Sequence, residues 1–259
     1  MPTLTFGDDL SPSGDLAFSW IDHQRWDGWR LEVLHAEAPP FGPPVPAEES
    51  EPHPWSPERP RVPSPSAGFG EVVHLLAKAD PRLALLRPTD LLVIGPRGRG
   101  LLKTLHLGSV AEWLLVHPTS PMVIAKTDDT VRDVLVAHDG SPSAARAVRA
   151  LCATQWARDA KVTVVVVADG RVDPDRAADA ARSALHDVSV EPEVVTHTGA
   201  ATAVIAREID QRHPQLVVLG TRGLSGLRRL HLGSTAGAIA RTVRCSVLVA
   251  CADDDANMP

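Results

Sequence analysis

"LVVLGTRGLSGLRRLHLGS", Leu216–Ser234, has a near copy 125 positions upstream, "LLVIGPRGRGLLKTLHLGS", Leu91–Ser109. Both stretches run from an apolar segment into two glycines, then nine residues, then Gly-Ser. One copy supplies Gly220, Gly223, Gly233 and Ser234, and the other Gly95, Gly98, Gly108 and Ser109. A second pair, "LTFGDDLSPS" (Leu4–Ser13) and "VLVAHDGSPS" (Val134–Ser143), recurs in the same order at an offset of 130. A period this long exceeds the roughly 20 to 50 residues of a solenoid repeat and points to a duplicated domain. The polar stretch "KTDDTVRD", Lys126–Asp133, is the expected boundary, which predicts units over 1–127 and 131–259.

Each unit alternates strand and helix. "DVLVAHD", "KVTVVVVAD" and "QLVVLG" are short β-branched runs with the character of buried parallel strands. Between the first two, Ala144, Ala147, Val148, Leu151 and Cys152 fall at helical spacing. Ser141 is placed to cap that helix and Pro142 to open it, as Ser11 and Pro12 are in the first copy. "ATAVIAREIDQRH" and "TAGAIARTVR" give two more helices, the latter before a last strand, "CSVLVA". The order predicts an α/β chain of two tandem doubly wound parallel sheets, Rossmann-like, with ligands at the carboxyl ends of the strands. The first copy departs from the pattern between Pro39 and Pro65, where eleven prolines leave no room for a regular helix. An extended insertion is expected there, either a tolerated surface loop or a polyproline docking segment.

Composition narrows the classes of function. With 259 residues, 44% hydrophobic, the chain can bury a sizeable core, and no apolar run approaches the roughly 20 residues that span a bilayer. The N-terminus lacks the segments of a signal peptide, so the cytoplasm is the expected location. Three cysteines without a CxxC pair suggest neither a disulfide framework nor zinc, and a net charge of −6 argues against nucleic acid as a partner.

Gly95 and Gly220 end a strand where a missing side chain lets a ligand approach the backbone. Gly108 and Gly233 open a helix, where Ser109 and Ser234 are expected to cap and to offer a hydroxyl to phosphate. The amides of Val110 and Thr235 follow as further donors at a helix N-terminus. Ser109 with Glu112 spells a capping box. Arg97 and Arg222, between the paired glycines, could neutralise phosphate, as could Lys103, Arg228 and Arg229. His106 and His231 lie between leucines and read as structural. His138 and Asp139 are adjacent on a predicted strand and should face opposite ways, and His35 reads as core-facing, so no catalytic residue and no metal ligand set is expected. Trp20, Trp113 and Trp156 are expected to pack from helices.

The spacing G-x2-G-x9-G-S after a strand, with an aspartate closing the first strand, resembles the universal stress protein family, in particular tandem members of its ATP-binding branch. The resemblance covers nearly the whole chain outside the proline-rich stretch and the acidic tail. It implies that ATP, with Mg²⁺ carried on its phosphates, is held by Asp139, Val167, Gly220, Arg222, Gly223, Gly233, Ser234 and Thr235. In the first unit it implies Asp9, Ala36, Gly95, Gly98, Gly108 and Ser109. Binding should be stronger in the second unit, because Leu10 replaces Gly140 and Pro96 lacks the amide that Thr221 keeps. The resemblance also implies that the last strands of the two units pair into a pseudo-dimer, with a homodimer of chains possible beyond it. Three readings follow: a nucleotide-sensing stress or signalling module with protein partners not named by the sequence, a slow ATP hydrolase, and an interaction scaffold without nucleotide.

Overall fold

The computed structural model describes residues 1–37, 60–98, 107–170, 172–223 and 232–251. The first unit contains β1 (Thr3–Gly7), α1 (Pro12–Asp22), β2 (Arg30–Ala36), β3 (Glu71–Ala77), α2 (Pro81–Ala84), β4 (Leu91–Ile94), α3 (Ser109–Val116) and β5 (Met122–Ile124). The second contains β6 (Asp133–Ala137), α4 (Pro142–Cys152), β7 (Lys161–Ala168), α5 (Pro174–His186), β8 (Glu193–Thr198), α6 (Ala201–Arg212), β9 (Leu216–Gly220), α7 (Ser234–Thr242) and β10 (Ser246–Ala250).

The strands form one sheet in the order β3-β2-β1-β4-β5-β10-β9-β6-β7-β8. Within each half all neighbours are parallel, and the order reverses between β1 and β4 and between β6 and β9. That reversal opens a crevice at the carboxyl ends of the strands. The halves join where β5 and β10 run antiparallel, with Val247 opposite Ile124 and Val249 opposite Met122. Each strand thereby covers the other's exposed edge.

Apolar residues on the two faces of the sheet make two cores. Leu4, Phe6, Val134, Val136 and Val164 face α1, α4 and α5, whereas Leu92, Ile94, Leu135, Val217 and Val249 face α3, α6 and α7. Parallel strands covered on both faces explain why the valine runs are continuous rather than alternating. Trp20 and Trp26 of the first unit meet Trp156 of the second edge-on at 6.0 Å each. Trp156 sits in a 3-10 turn, Gln155–Arg158, and not in the preceding helix, which ends at Cys152.

The two halves diverge where the prolines begin. Residues 38–59 lie outside the described residues. The end of that stretch, Pro60–Pro65, carries only a 3-10 turn at Pro65–Ala67 before β3. Arg61 pairs with Asp8 at 3.0 Å and Asp15 at 2.6 Å, and its guanidinium lies over the Phe18 ring. This segment lies along α1 much as α5 lies along α4 in the second unit.

Candidate nucleotide site

Ser11 and Ser141 each cap their helix as expected, the hydroxyls accepting from Gly14 N and Ala144 N. This fixes the turn after the first strand of each unit. Asp139 Oδ1 accepts from Ser141 N at 3.0 Å and Asp9 Oδ1 from Ser11 N at 3.1 Å. The other carboxylate oxygen reaches over the glycine loop: a Cβ on Gly223 would lie 2.6 Å from Asp139 Oδ2, and one on Gly98 2.7 Å from Asp9 Oδ2.

The strand-end glycines have a different cause from the one their position suggests. A Cβ on Gly220 would lie 2.5 Å from Ala144 N and from Ser143 Oγ, and one on Gly95 2.5 Å from Ser13 O. The side chain is missing so that the first turn of α4, or α1, can close against the strand, not to admit a ligand. None of Gly95, Gly98, Gly108, Gly220, Gly223 and Gly233 has a positive φ, so close packing rather than backbone freedom selects glycine here.

The turn Thr221–Gly223 is fixed from three sides. Thr221 N donates to Ala250 O at 2.8 Å, Gly233 N donates to Thr221 O at 2.6 Å, and the hydroxyls of Ser141 and Ser143 donate to Arg222 O. The amide that Thr221 has and Pro96 lacks is therefore engaged with β10 and is not available to a ligand, contrary to the expectation from sequence. In the first unit Gly108 N donates to Pro96 O at 2.8 Å, so that loop closes in the same way without it.

The helix caps also differ from expectation. Gly108 and Gly233 are the caps of α3 and α7, and Ser109 and Ser234 are the first helical residues, with no side-chain cap on either helix. Glu112 does not complete a capping box, because its carboxylate binds Arg241 of the second unit at 2.7 Å. The serine hydroxyls are thus not consumed in capping. Helical bonding in α7 begins with Gly237 N to Gly233 O, which leaves the amides of Ser234, Thr235 and Ala236 without an intrahelical acceptor.

These groups surround one cleft of about 810 Å³ including its open mouth. Asp139, Val167, Gly220, Arg222, Gly223, Gly233, Ser234 and Thr235 all line it. Sequence reasoning missed its apolar floor, Ala137, Val165 and Leu219, and its α6 wall, Ala201 and Ile205. Their places in the strands do not set them apart, in sequence, from residues that fill the core. Thr202 Oγ1 donates to Thr235 Oγ1 at 3.3 Å, so the openings of α6 and α7 meet at the rim. Thr221 lines the cleft while fully buried, and its Oγ1 has no hydrogen-bond partner among the described residues.

His138 lies beyond the last residue of β6, and both it and Asp139 line the cleft, so the opposite-face argument does not apply. Burial pushes the His138 pKa below its ordinary value, opposed by the charge of Asp139. Its Nδ1 accepts from Gly140 N at 3.2 Å, which gives it a structural role in the turn. His35 is buried in the same manner, its Nδ1 bonded to Asp8 O at 2.9 Å. In the first unit Asp9, Ala36, Gly95, Gly98, Gly108 and Ser109 occupy the corresponding places around β1, β2 and β4. Lys103, His106, Arg228, Arg229 and His231 lie outside the described residues. Among the described residues no three His, Cys, Asp or Glu side chains group as a metal site, and no helix is long and apolar enough to cross a membrane.

Residues 130–250 match the model of the universal stress protein family. This half of the chain is a universal stress protein domain. A universal stress protein of Synechocystis is 28% identical over 163 residues, covering 61% of this chain; the alignment spans only 57% of that relative's length. The fold of the whole chain is similar to that of a universal stress protein from Archaeoglobus fulgidus, with a TM-score of 0.69 at 19% identity over 97% of this chain and 98% of that one. A functionally unknown protein from Pseudomonas aeruginosa follows at 0.63 and 16% identity, over 99% and 94% of the two chains. The cleft lies entirely within the universal stress protein domain.

Proposed function

We propose that the chain binds an adenine nucleotide, ATP with its accompanying Mg²⁺, in the cleft of the second unit, and acts as a nucleotide-sensing module in a stress response. The observation that carries this reading is the convergence of an apolar floor, a carboxylate and uncapped helix amides in one cleft. Ala137, Val165 and Leu219 suit a flat base, Asp139 suits ribose hydroxyls, and the amides of Ser234 and Thr235 suit phosphate. The buried, unpartnered Thr221 hydroxyl supports a polar ligand atom beside the loop. The units are taken as 1–127 and 131–259, the first offering a second, weaker site around Asp9, Gly98 and Ser109.

Calorimetry tests this directly. ATP binding in the micromolar range or tighter is expected for the wild type, and Gly233→Val with Ser234→Ala should remove the stronger site. Equal ATP binding by that double variant refutes the assignment, and no binding of ATP by the wild type refutes the nucleotide reading.

A further inference from the structure

The helix that opens onto the cleft is held at its other end by the other unit. α7 is nine residues long, about 13 Å by its rise per residue, and its first turn carries Ser234 and Thr235. At its closing turn Lys126, just beyond β5 of the first unit, donates from Nζ to Ala240 O at 2.6 Å and Val243 O at 2.7 Å. Arg241, in the same closing turn, binds Glu112 of α3 through two parallel contacts, Nε to Oε1 at 2.8 Å and Nη2 to Oε2 at 2.7 Å. Such a fork fixes orientation as well as distance.

Cys251, the counterpart of Lys126, reaches Pro118 O, the counterpart of Val243 O, at 3.2 Å, but the Arg241–Glu112 fork is one-sided. With the repeat offset of 125, the counterpart of Glu112 is Gly237 and the counterpart of Arg241 is Val116, which cannot pair. Gly237 is itself part of the device, since a Cβ there would lie 2.6 Å from Arg241 Nη1. The absent side chain lets the guanidinium lie along α7 on its way to Glu112.

We infer that Glu112 and Lys126 of the first unit are positioning residues for the phosphate end of the second unit's cleft, acting through α7. This rests on the reading of that cleft as a nucleotide site. The clamp sets the axis of a short helix whose opening amides must meet an anion, and the buried, unpartnered Thr221 hydroxyl marks a ligand position beside that opening. The apolar floor belongs to β6, β7 and β9, so the base end does not depend on α7.

The full chain is titrated with ATP and, separately, with adenosine, in wild type, Glu112→Gln, Lys126→Met and Gly237→Ala. Each variant should weaken ATP about fivefold, the worth of one hydrogen bond, and leave adenosine unchanged. Gly237→Ala guards against a folding artefact, because alanine favours a helix interior while displacing Arg241. Exchanging the charges, Glu112→Arg with Arg241→Glu, should restore ATP affinity. Unchanged ATP affinity in the variants, an equal fall for ATP and adenosine, or failure of the exchange to restore binding overturns the positioning role alone. A wild type that binds neither ligand overturns the nucleotide reading and this inference together.

Discussion

Two glycines three residues apart in the same loop should respond in opposite ways to the same substitution. Alanine at Gly220 places a methyl group 2.5 Å from Ala144 N and 2.7 Å from Ser143 C, both backbone atoms of the first turn of α4. That turn is anchored by the Ser141 cap and by Ser141 and Ser143 bonding to Arg222 O, so relief requires the helix start to move. Overpacking of this kind costs roughly 1–3 kcal/mol. Among the described residues, alanine at Gly223 closely meets only Asp139 Oδ2, at 2.6 Å, the movable end of a side chain. A small rotation of the carboxylate relieves it, at a stability cost below about 1 kcal/mol, but moves the group proposed to hold the ribose. For a domain of this size each kcal/mol shifts Tm by roughly 2–4 °C. Thermal unfolding with ATP calorimetry should therefore find Gly220→Ala lowered by roughly 2–12 °C, and Gly223→Ala near the wild-type Tm with ATP bound about tenfold more weakly. A Gly220→Ala protein as stable as the wild type, or a larger Tm loss at Gly223, would show that packing against α4 is not why glycine ends the strand.

Leu10 holds a φ of 57°, the left-handed conformation that its counterpart Gly140 adopts at 81°. Because that conformation costs a side-chain-bearing residue about 1–2 kcal/mol and Leu10 is only half-buried, Leu10→Gly should stabilise the protein by about 0.5–1 kcal/mol, measured as a raised Tm. A lowered Tm would contradict this. Burial, with a smaller contribution from Arg97, depresses the Lys126 pKa from 10.5 to about 8, against the favourable influence of Cys245. Between those values the unfolded chain carries a proton that the folded one does not, so stability rises with pH across the window from about 8 to 10.5. The whole displacement corresponds to about 3 kcal/mol at most. Denaturant midpoints measured across this window should climb in the wild type relative to Lys126→Met, and parallel pH profiles would refute the assignment.

The strand and helix order was legible because parallel strands covered on both faces need unbroken apolar runs, and "VTVVVVA" and "LVVLG" are such runs. The doubled glycine spacing singled out residues that the fold brings together, since all eight of the second unit line one cleft. The cause of the spacing was not legible. Whether a glycine faces a ligand or the backbone of a helix depends on how α4 closes against β9, a long-range contact. The same limit explains the serine caps. A capping box needs Glu112 free to fold back on its own helix, and its partner Arg241 stands 129 residues away. Apolar liners such as Ala137 and Leu219 were hidden for another reason, because a strand-end residue that floors a cleft looks the same in sequence as one that fills a core.

The joining of the units through β5 and β10 has a consequence that a symmetric dimer of identical chains would not share. In such a dimer every substitution appears at both related positions, so an acid at position 112 of α3 would be matched by an acid in the opening turn of its partner helix. There it would add negative charge where a phosphate is to bind, and repel it. In a single chain the two positions vary independently. α3 carries Glu112 in its first turn, whereas the opening turn of α7 carries no acidic residue. The carboxylate can therefore hold the far end of α7 without standing beside the anion that α7 is proposed to bind. The same independence permits Leu10, Pro96 and the proline-rich stretch before β3 to persist in the first unit while the second keeps Gly140, Thr221 and α5. On this reading, installing an acid at Gly237, as Gly237→Glu, should weaken ATP more than Gly237→Ala does, and 0.5 M salt should narrow the difference by screening the added charge. Equal affinities for the two variants at low salt would show that the opening turn of α7 does not carry the phosphate.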